Sequence, residues 1–300
     1  MRRASGCAAS LRQERDKSRP TPTRDDTERM TPNSEIDQKT FQEFADLIYD
    51  KAGIQLGPHK QALVTSRLAK RMRKLGIQDF RSYYEHIRQD QTQNELVELL
   101  DAISTNVTQF YRESRHFEIL EELAQKWEQS GQQRFRIWCA AASSGEEPYT
   151  IAITLMESLR NTRDTKILAT DISTQVLERA RKGIYEKKRL QKVPRQVIGK
   201  YFRKIQGGSE ESYQVDDSLR SMIQFKRLNL ATPPFPMHGP LDAIFCRNVM
   251  IYFDNTVRKH LLDEMYRLLK PGGYLMVGHA ESLSGMLSHF RSVEPSVYVK

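Results

Sequence analysis

The sequence contains few cysteines, and no two of them are spaced for disulfide or metal chemistry. Only Cys7, Cys139 and Cys246 occur among the 300 residues, and none forms a CxxC pair. An odd number without paired spacing argues against a disulfide framework and against a cysteine-based zinc site. Because structural disulfides belong to oxidising compartments, this cysteine usage predicts a reducing compartment and a cytoplasmic protein.

Long apolar runs, nucleotide fingerprints and metal-ligand spacings are also missing. No apolar run approaches the roughly 20 residues that a membrane-spanning helix needs, which argues against a transmembrane role. The pattern GxGxxG is absent, and the seven histidines show neither HxxxH nor HxH spacing. The sequence therefore predicts no metal site.

What the sequence does have is an excess of positive charge. Lys and Arg number 47 against 38 Asp and Glu, which gives a net charge of +9 and a pI near 9.4. Such a surplus favours an anionic partner: nucleic acid, anionic lipid or an acidic protein.

The first part of the chain divides into a polar tail and a helical region. Residues 1–34 are rich in Arg, Ser, Thr, Pro and Asp and lack hydrophobic periodicity, so we predict a disordered tail. Apolar residues then recur at helical spacing, and helices are predicted near 41–52, 59–75, 80–87 and 95–103. Residues 35–112 are thus expected to form an all-helical N-terminal domain and its linker.

From residue 113 to 300 strands alternate with helices. Strands are predicted at 135–140, 166–170, 222–225, 241–246 and 274–277, the last after a turn at 270–273. This alternation is typical of an α/β domain with a doubly wound, mostly parallel sheet. Residues 185–221 fit the alternation poorly and are expected to form a small inserted subdomain.

Three polar features follow predicted strands, where an open α/β sheet binds its ligand. The loop 141–148 has small residues but ends in Glu146 and Glu147, which would repel a pyrophosphate and suit a cationic ammonium group. Asp171 ends the second strand, where it could accept hydrogen bonds from ribose hydroxyls or cap a helix. Arg247 and Asn248 follow the fourth strand. Together these features match a site for a nucleoside joined to an amino acid, as in S-adenosylmethionine (SAM) methyltransferases, although the first loop alone could be an ordinary turn with acids at a helix N-terminus.

Four motifs resemble the CheR-type chemotaxis-receptor methyltransferase family. They are TNVTQFYRE at 105–113, WCAAASSGEEPY at 138–149, ATDI at 169–172 and IFCRNVMIYF at 244–253. The resemblance covers about residues 37–298. It implies a Rossmann-like SAM-dependent methyltransferase domain with an all-helical N-terminal domain and a small inserted β-subdomain, and a protein-glutamate O-methyltransferase activity that converts SAM to S-adenosylhomocysteine.

The family's cofactor-binding residues carry over to positions that match its motifs. The residues expected to bind SAM are Asn106, Thr108, Arg112, Glu147, Asp171, Asn229, Leu230, Arg247 and Asn248. Without the family, Asn229 and Leu230 would be a polar loop residue and a core leucine.

Two residues are candidates for the methyl transfer itself. A glutamate side chain, with a reference pKa near 4.3, is already a nucleophile at neutral pH, so the enzyme's task is alignment and removal of water. Arg112 is expected to hold the incoming carboxylate, or alternatively the carboxylate of the cofactor. Tyr252 is expected to donate a hydrogen bond at the entrance of the same site, or else to be an aromatic residue of the core.

The resemblance implies methyl-accepting chemotaxis receptors as substrates, through their acidic cytoplasmic coiled coil. The second helix carries a basic stripe that is either a docking surface for them or a solvated face: Lys60, Arg67, Lys70, Arg71 and Lys74. Whether the inserted subdomain binds a receptor tail peptide stays open. We expect a monomer that does not insert into membranes.

Two other functional classes are compatible with parts of the sequence. The basic charge is compatible with a nucleic-acid methyltransferase, but the motif Asp/Asn-Pro-Pro-Tyr/Phe of the amino type does not follow the fourth strand, where Cys246, Arg247 and Asn248 stand. A SAM-binding scaffold without catalysis is the second alternative, and the intact site argues against it.

Overall fold

The computed structural model describes residues 35–205, 210–281, 283, 285–286 and 289–300. The predicted tail, residues 1–34, lies outside the described residues. The helices are α1 Gln38–Ala52, α2 Gln61–Leu75, α3 Phe80–Gln89, α4 Asn94–Ile103, α5 Arg115–Gln129, α6 Glu146–Ser158, α7 Thr174–Lys182, α8 Arg195–Tyr201, α9 Asp217–Arg220 and α10 Asn255–Leu268. The strands are β1 Phe135–Cys139, β2 Thr165–Asp171, β3 Ile184–Glu186, β4 Phe202–Ile205, β5 Ser212–Val215, β6 Ile223–Arg227, β7 Leu241–Cys246, β8 Leu269–Val277, β9 Arg291–Glu294 and β10 Val297–Val299.

Helices α1 to α4 form the N-terminal domain, as the apolar spacing predicts. Asp37 caps α1 by accepting a hydrogen bond from the Thr40 amide, and Gly53 ends the helix in the left-handed conformation that glycine adopts without strain. The core consists of apolar side chains such as Phe44, Leu68 and Tyr83. The second predicted helix begins as a 3₁₀ turn, Pro58–Lys60, before α2.

The remaining chain forms a seven-stranded sheet in the order β6-β2-β1-β7-β8-β10-β9. The first five strands in this order are parallel, and the last two pair antiparallel. Strand order reverses between β1 and β7, so the carboxyl ends of these two strands border the crevice where such sheets bind ligands. The predicted doubly wound sheet is confirmed.

The predicted turn at 270–273 is wrong. Residues 270–273 belong to β8, which starts at Leu269 and has a register shift against β7. Gly272 at φ +73° accommodates this irregularity, because a residue without Cβ adopts such an angle freely. Helix α5 and strands β9 and β10 were not predicted from the sequence.

The segment that interrupts the alternation forms a separate three-stranded sheet, in the order β3-β5-β4. It is inserted between α7 and β6, and β5 pairs antiparallel with both neighbours. Tyr185 and Phe202 pack against Phe110, which joins the inserted sheet to the main core. Residues 206–209, which belong to the predicted inserted subdomain, lie outside the described residues.

Among the residues described, we find no helix with the length and apolar character needed to cross a membrane.

Candidate active site

A cavity lies at the carboxyl ends of β1, β2, β6 and β7, under the N-terminal helical domain. The space between its walls, with open solvent included, is about 1130 Å³. All nine residues expected to bind SAM line it, together with Tyr252, Lys60 and Arg67. Residues from four strand ends and from the interdomain linker thus meet at one place.

Asp171 lies at the end of β2 with its carboxylate buried. Oδ2 accepts a hydrogen bond from the Ser143 amide at 2.8 Å, and Oδ1 accepts one from the Ser173 amide at 3.0 Å. Burial raises the pKa of Asp171, and these two amides oppose that rise. Helix α7 is capped by Ser173 instead, whose hydroxyl accepts from the Val176 amide, so the interpretation of Asp171 as an N-cap is wrong.

Arg247 is the centre of a buried charge cluster behind the cavity. Its Nη1 donates to Glu147 Oε2 at 2.7 Å and its Nη2 donates to Glu113 Oε2 at 3.1 Å. Nη2 also donates to the carbonyl oxygen of Arg112. Burial raises the pKa of Glu147, with Arg247 opposing the rise. Within the described chain the buried Nε of Arg247 has no hydrogen-bond partner, and the whole Arg247 side chain is shielded from solvent.

Backbone strain is concentrated around the same cavity. Six non-glycine residues among those described have positive φ, and four of them belong to the cavity or its border: Tyr111, Glu113, Ser143 and Asn248, at φ 47–58°. Tyr111 and Glu113 flank Arg112, while Ser143 and Asn248 follow β1 and β7. Left-handed conformations cost free energy for residues with a Cβ and recur at functional sites, where packing enforces them.

Asn229 reaches the cavity, but its side chain is already engaged within the protein. Its Nδ2 donates to the carbonyl oxygen of Lys51 at 2.8 Å, and its Oδ1 accepts from the Ala231 amide at 3.0 Å. Asn229 therefore ties the end of α1 to the loop after β6. Its predicted role in binding SAM stays a prediction, and because its side chain is engaged, the contacts left for a ligand are its backbone and the neighbouring Leu230.

Arg112 and Tyr252 both line the cavity, Arg112 from the interdomain linker and Tyr252 from the segment after β7. Arg112 Nη1 donates to the carbonyl oxygen of Val107 at 3.0 Å, and about a third of its side chain is exposed. Lys60 Nζ lies 5.2 Å from the centroid of the Tyr252 ring. The backbone carbonyl oxygen of Tyr252 accepts a hydrogen bond from the Gln55 amide. The predicted alternatives for both residues stay open, since each side chain lines the cavity and keeps free hydrogen-bonding capacity.

Family models match nearly the whole described chain. The description "CheR methyltransferase, SAM binding domain" fits residues 106–299, and "CheR methyltransferase, all-alpha domain" fits residues 39–104. The chain belongs to the CheR methyltransferase family. The resemblance seen in the four motifs is thereby confirmed, and so is the predicted fold class.

Proteins with the name chemotaxis protein methyltransferase are similar along most of their length. One from Salmonella typhimurium is 40% identical over 270 residues, which is 90% of this chain and 92% of the relative. One from Escherichia coli is 40% identical over 270 residues, covering 90% and 93%. One from Borreliella burgdorferi is 39% identical over 276 residues, covering 89% and 96%.

The basic stripe of this CheR-family chain is not a uniform surface. Arg71 is mostly buried and paired with Glu95 at 2.6 Å and Glu98 at 2.8 Å. Arg67 donates to the last carbonyl oxygens of α4 and lines the cavity. The expectation of exposed charge at these two arginines is therefore wrong. Lys70 and Lys74 are exposed and Lys60 is partly buried at the cavity mouth.

One cluster of possible metal ligands adjoins Arg247. Glu113, His116 and His279 place their ligand atoms within 4.8 Å of one another. However, Glu113 Oε2 already accepts from Arg247 and from the His279 amide. Burial lowers the pKa of His116 to about 4, which favours a neutral ring beside the guanidinium. The absence of a metal stays a prediction.

Glu281 holds the loop after β7 beside the cavity, and sequence reasoning missed it. Its buried carboxylate accepts four backbone amides, from Asn248, Val249, Met250 and Gly278, at 2.6–2.8 Å. A Cβ on Gly278 would lie 2.8 Å from Glu281 Oε2, so glycine is required there. Glu281 thus fixes the loop that carries Asn248 and Tyr252. The signal available in the sequence was an acidic residue shortly after the end of the predicted strand 274–277.

We expect Glu281→Gln to loosen this loop. A glutamine amide nitrogen cannot accept, so one side of the carboxylate loses its amide bonds, and hydrogen bonds to charged groups contribute about 1.5–3 kcal/mol. Methyl transfer should fall at least about tenfold, and SAM affinity should weaken, in a variant that calorimetry shows to be folded. The matched control is Glu264→Gln, a buried acid that accepts from the Phe235 amide away from the cavity. Equal activity of the two variants would contradict this role.

Proposed function

We propose that this protein transfers the methyl group of SAM to glutamate side chains of methyl-accepting chemotaxis receptors in the cytoplasm, forming methyl esters. The observation that carries the proposal is the convergence of all nine motif-matched residues, with Arg112 and Tyr252, on one cavity beneath a basic helix. Membership in the CheR methyltransferase family supports the same reaction.

The residues present fit SAM. Asp171 keeps acceptor capacity beyond its two backbone bonds and can receive ribose hydroxyls. Glu147 offers a carboxylate at the cavity wall to the ammonium group, and Arg247 holds that carboxylate in place from the buried side. Bound SAM supplies a methyl group that is activated by attachment to a sulfonium sulfur.

The chain's own part in the reaction is alignment and exclusion of water. The receptor glutamate enters as a carboxylate, because its pKa of about 4.3 lies below neutral pH. Arg112 receives it through the guanidinium edge that Val107 does not occupy, which fixes one oxygen and leaves the other free to react. Apolar lining residues such as Ile54, Val249 and Phe253 keep water out.

We expect Asp171→Ala to weaken SAM binding. Losing hydrogen bonds to a charged group costs about 1–3 kcal/mol, which corresponds to a Kd raised about 5- to 150-fold. Isothermal titration calorimetry measures it, with the exposed Asp217→Ala as the control that keeps wild-type affinity. Unchanged affinity in a folded Asp171 variant would remove this carboxylate from the cofactor site.

The exposed lysines of α2 are proposed to steer the acidic receptor. We expect the reversal Lys70→Glu/Lys74→Glu to slow methylation at sub-saturating receptor and to flatten its dependence on salt, because exposed charges are screened over about 8 Å at physiological ionic strength. Lys259→Glu, an exposed reversal on α10, is the control. Identical rates and salt slopes in the reversal and in the wild type would mean that the lysines form only a solvated face.

A nucleic-acid methyltransferase remains the second candidate, because the net charge of +9 favours an anionic partner. Incubation with labelled SAM and either receptor-containing membranes or nucleic acid, followed by base, separates the candidates. Methyl esters on receptors should release labelled methanol. Base-stable label on nucleic acid would favour the second candidate, and binding without transfer would favour a scaffold.

A further inference from the structure

The inserted three-stranded sheet contacts the segment that leads from the end of β1 into the first turn of α6. We refer to residues 143–147 as the cofactor segment, because Ser143 and Glu147 at its two ends line the cavity. The Ser143 amide donates to Asp171 Oδ2, and Glu147 accepts from Arg247. The two ends thus contact residues proposed to bind SAM, whereas the middle of the segment is held from the inserted sheet.

The first contact from the inserted sheet is an ion pair with a buried acid. At the start of α6, Glu147 lines the cavity, whereas the Glu146 carboxylate contacts the turn after β3. There Arg189 Nη1 donates to Glu146 Oε1 at 2.9 Å, and the Glu146 side chain is fully buried while 46% of the Arg189 side chain is exposed. Ser144 Oγ donates to the other carboxylate oxygen at 2.7 Å. Because a carboxylate removed from water is costly without a cation and donors, this pair fixes the start of the helix.

The second contact is a hydrogen bond from a buried tyrosine of β3. The Tyr185 hydroxyl donates to the carbonyl oxygen of Ser144 at 2.7 Å. Burial raises the pKa of Tyr185, so the hydroxyl keeps its proton and stays a donor. A Cβ on Gly145 would lie 2.7 Å from this hydroxyl, so the tyrosine approaches the segment as closely as a glycine allows. The inserted sheet therefore holds the residues on both sides of Gly145.

We propose that the inserted sheet is part of the cofactor site, with Tyr185 and Arg189 as residues that position the cofactor segment for SAM. The segment has only five residues, and its ends provide the amide that orients Asp171 and the carboxylate offered to the ammonium group. A shift of its middle therefore displaces both ends. This inference rests on the proposed function through the cofactor alone and does not depend on the identity of the methyl acceptor.

The first test measures the Kd for SAM in a full-length variant that loses the ion pair. Arg189→Met leaves Glu146 buried without its cation, and we expect the Kd in isothermal titration calorimetry to rise about tenfold. Arg189→Lys should recover most of the affinity, because the arginine makes one hydrogen bond that an ammonium group can replace. The matched control is Arg203→Met on β4 of the same sheet, where the arginine is 78% exposed and pairs with Asp216, outside the cofactor segment. It should bind SAM as the wild type does.

The second test removes only a hydroxyl group. Tyr185→Phe keeps the ring beside Phe110 and takes the donor from the Ser144 carbonyl, so the Kd for SAM should rise about fivefold. Tyr213→Phe, which loses a hydroxyl bond to Glu211 within the inserted sheet, is the control. In the Tyr185 and Arg189 variants kcat at saturating SAM should fall much less than kcat/KM for SAM, because a positioning residue acts on binding of the cofactor.

A double-variant cycle shows whether Arg189 acts through Glu146. Arg189→Met should change the Kd for SAM much less in a Glu146→Gln background, because the buried charge that the arginine compensates is gone. Additive effects, or wild-type Kd values in folded Arg189→Met and Tyr185→Phe, would overturn the inference. If Arg189→Met does not fold, the Kd of Tyr185→Phe decides by the same criterion. Binding of SAM by the wild-type enzyme without methylation of any receptor fragment would overturn the proposed acceptor, and the Kd differences would still support the role of the inserted sheet.

Discussion

Replacing Arg112 by alanine is expected to lower methyl transfer to receptor glutamates by at least about 100-fold, the size of effect that misplacement of a reacting group produces. Arg112 lies at the cavity mouth between two residues in left-handed conformations, and its guanidinium is fixed on the Val107 carbonyl. Its backbone carbonyl, which Arg247 contacts, is kept in the variant. The loss would therefore report on the side chain. Arg112→Lys should restore little, because lysine lacks the planar fork.

The kinetic pattern distinguishes the two roles open to Arg112. Loss of kcat with unchanged SAM affinity would assign the guanidinium to the receptor carboxylate, whereas a raised Kd for SAM would assign it to the cofactor. Arg115→Ala is the matched control, since Arg115 is exposed and pairs with Glu294 outside the cavity. Near-normal turnover of Arg112→Ala would exclude both roles.

Replacing Arg247 by methionine should have the largest effect on stability. Arg247 is buried and compensates Glu147 and Glu113, and removing one partner of a buried ion pair costs about 3–5 kcal/mol. For a domain of this size that corresponds to a fall in Tm of about 6–20 °C. Scanning calorimetry measures the fall directly.

The matched control for Arg247 is an ion pair in which both side chains are solvated. Lys182→Met removes the contact to Glu178, where the two side chains are 63% and 65% exposed, and an exposed pair contributes only about 0–1 kcal/mol. The double variant Arg247→Met/Glu147→Gln should recover part of the lost stability, because it removes one uncompensated charge. Equal Tm values for the Arg247 and Lys182 variants would show that the buried cluster contributes no more than a solvated pair.

The sequence predicted the sheet and the cavity well because both depend on local rules. Buried parallel strands are continuous apolar runs, and a polar residue that ends such a run, like Asp171 or Arg247, lies at the ligand-binding edge whatever the tertiary details. The linker residues Asn106 and Thr108 could be predicted as cofactor-binding residues only from the family motif, because no periodic pattern distinguishes them from helix caps.

The errors arose where a contact joins distant segments. The spacing of α2 places Arg67 and Arg71 on one face, but the partner of Arg71 is at the start of α4 and those of Arg67 are at its end, 24 to 37 residues away. Glu281 binds amides about 30 residues earlier in the chain. Helical spacing shows which side chains share a face, whereas the partner of that face is set by tertiary packing.

Methyl transfer from SAM to receptor glutamate carboxylates is tested most directly by mass spectrometry of a receptor cytoplasmic fragment after reaction with SAM and the wild-type enzyme. We expect one added methylene on glutamate side chains, which is lost on base treatment and is at least about 100-fold less abundant with Arg112→Ala. Modification of lysine or arginine, or base-stable methylation that persists in the Arg112 variant, would contradict it.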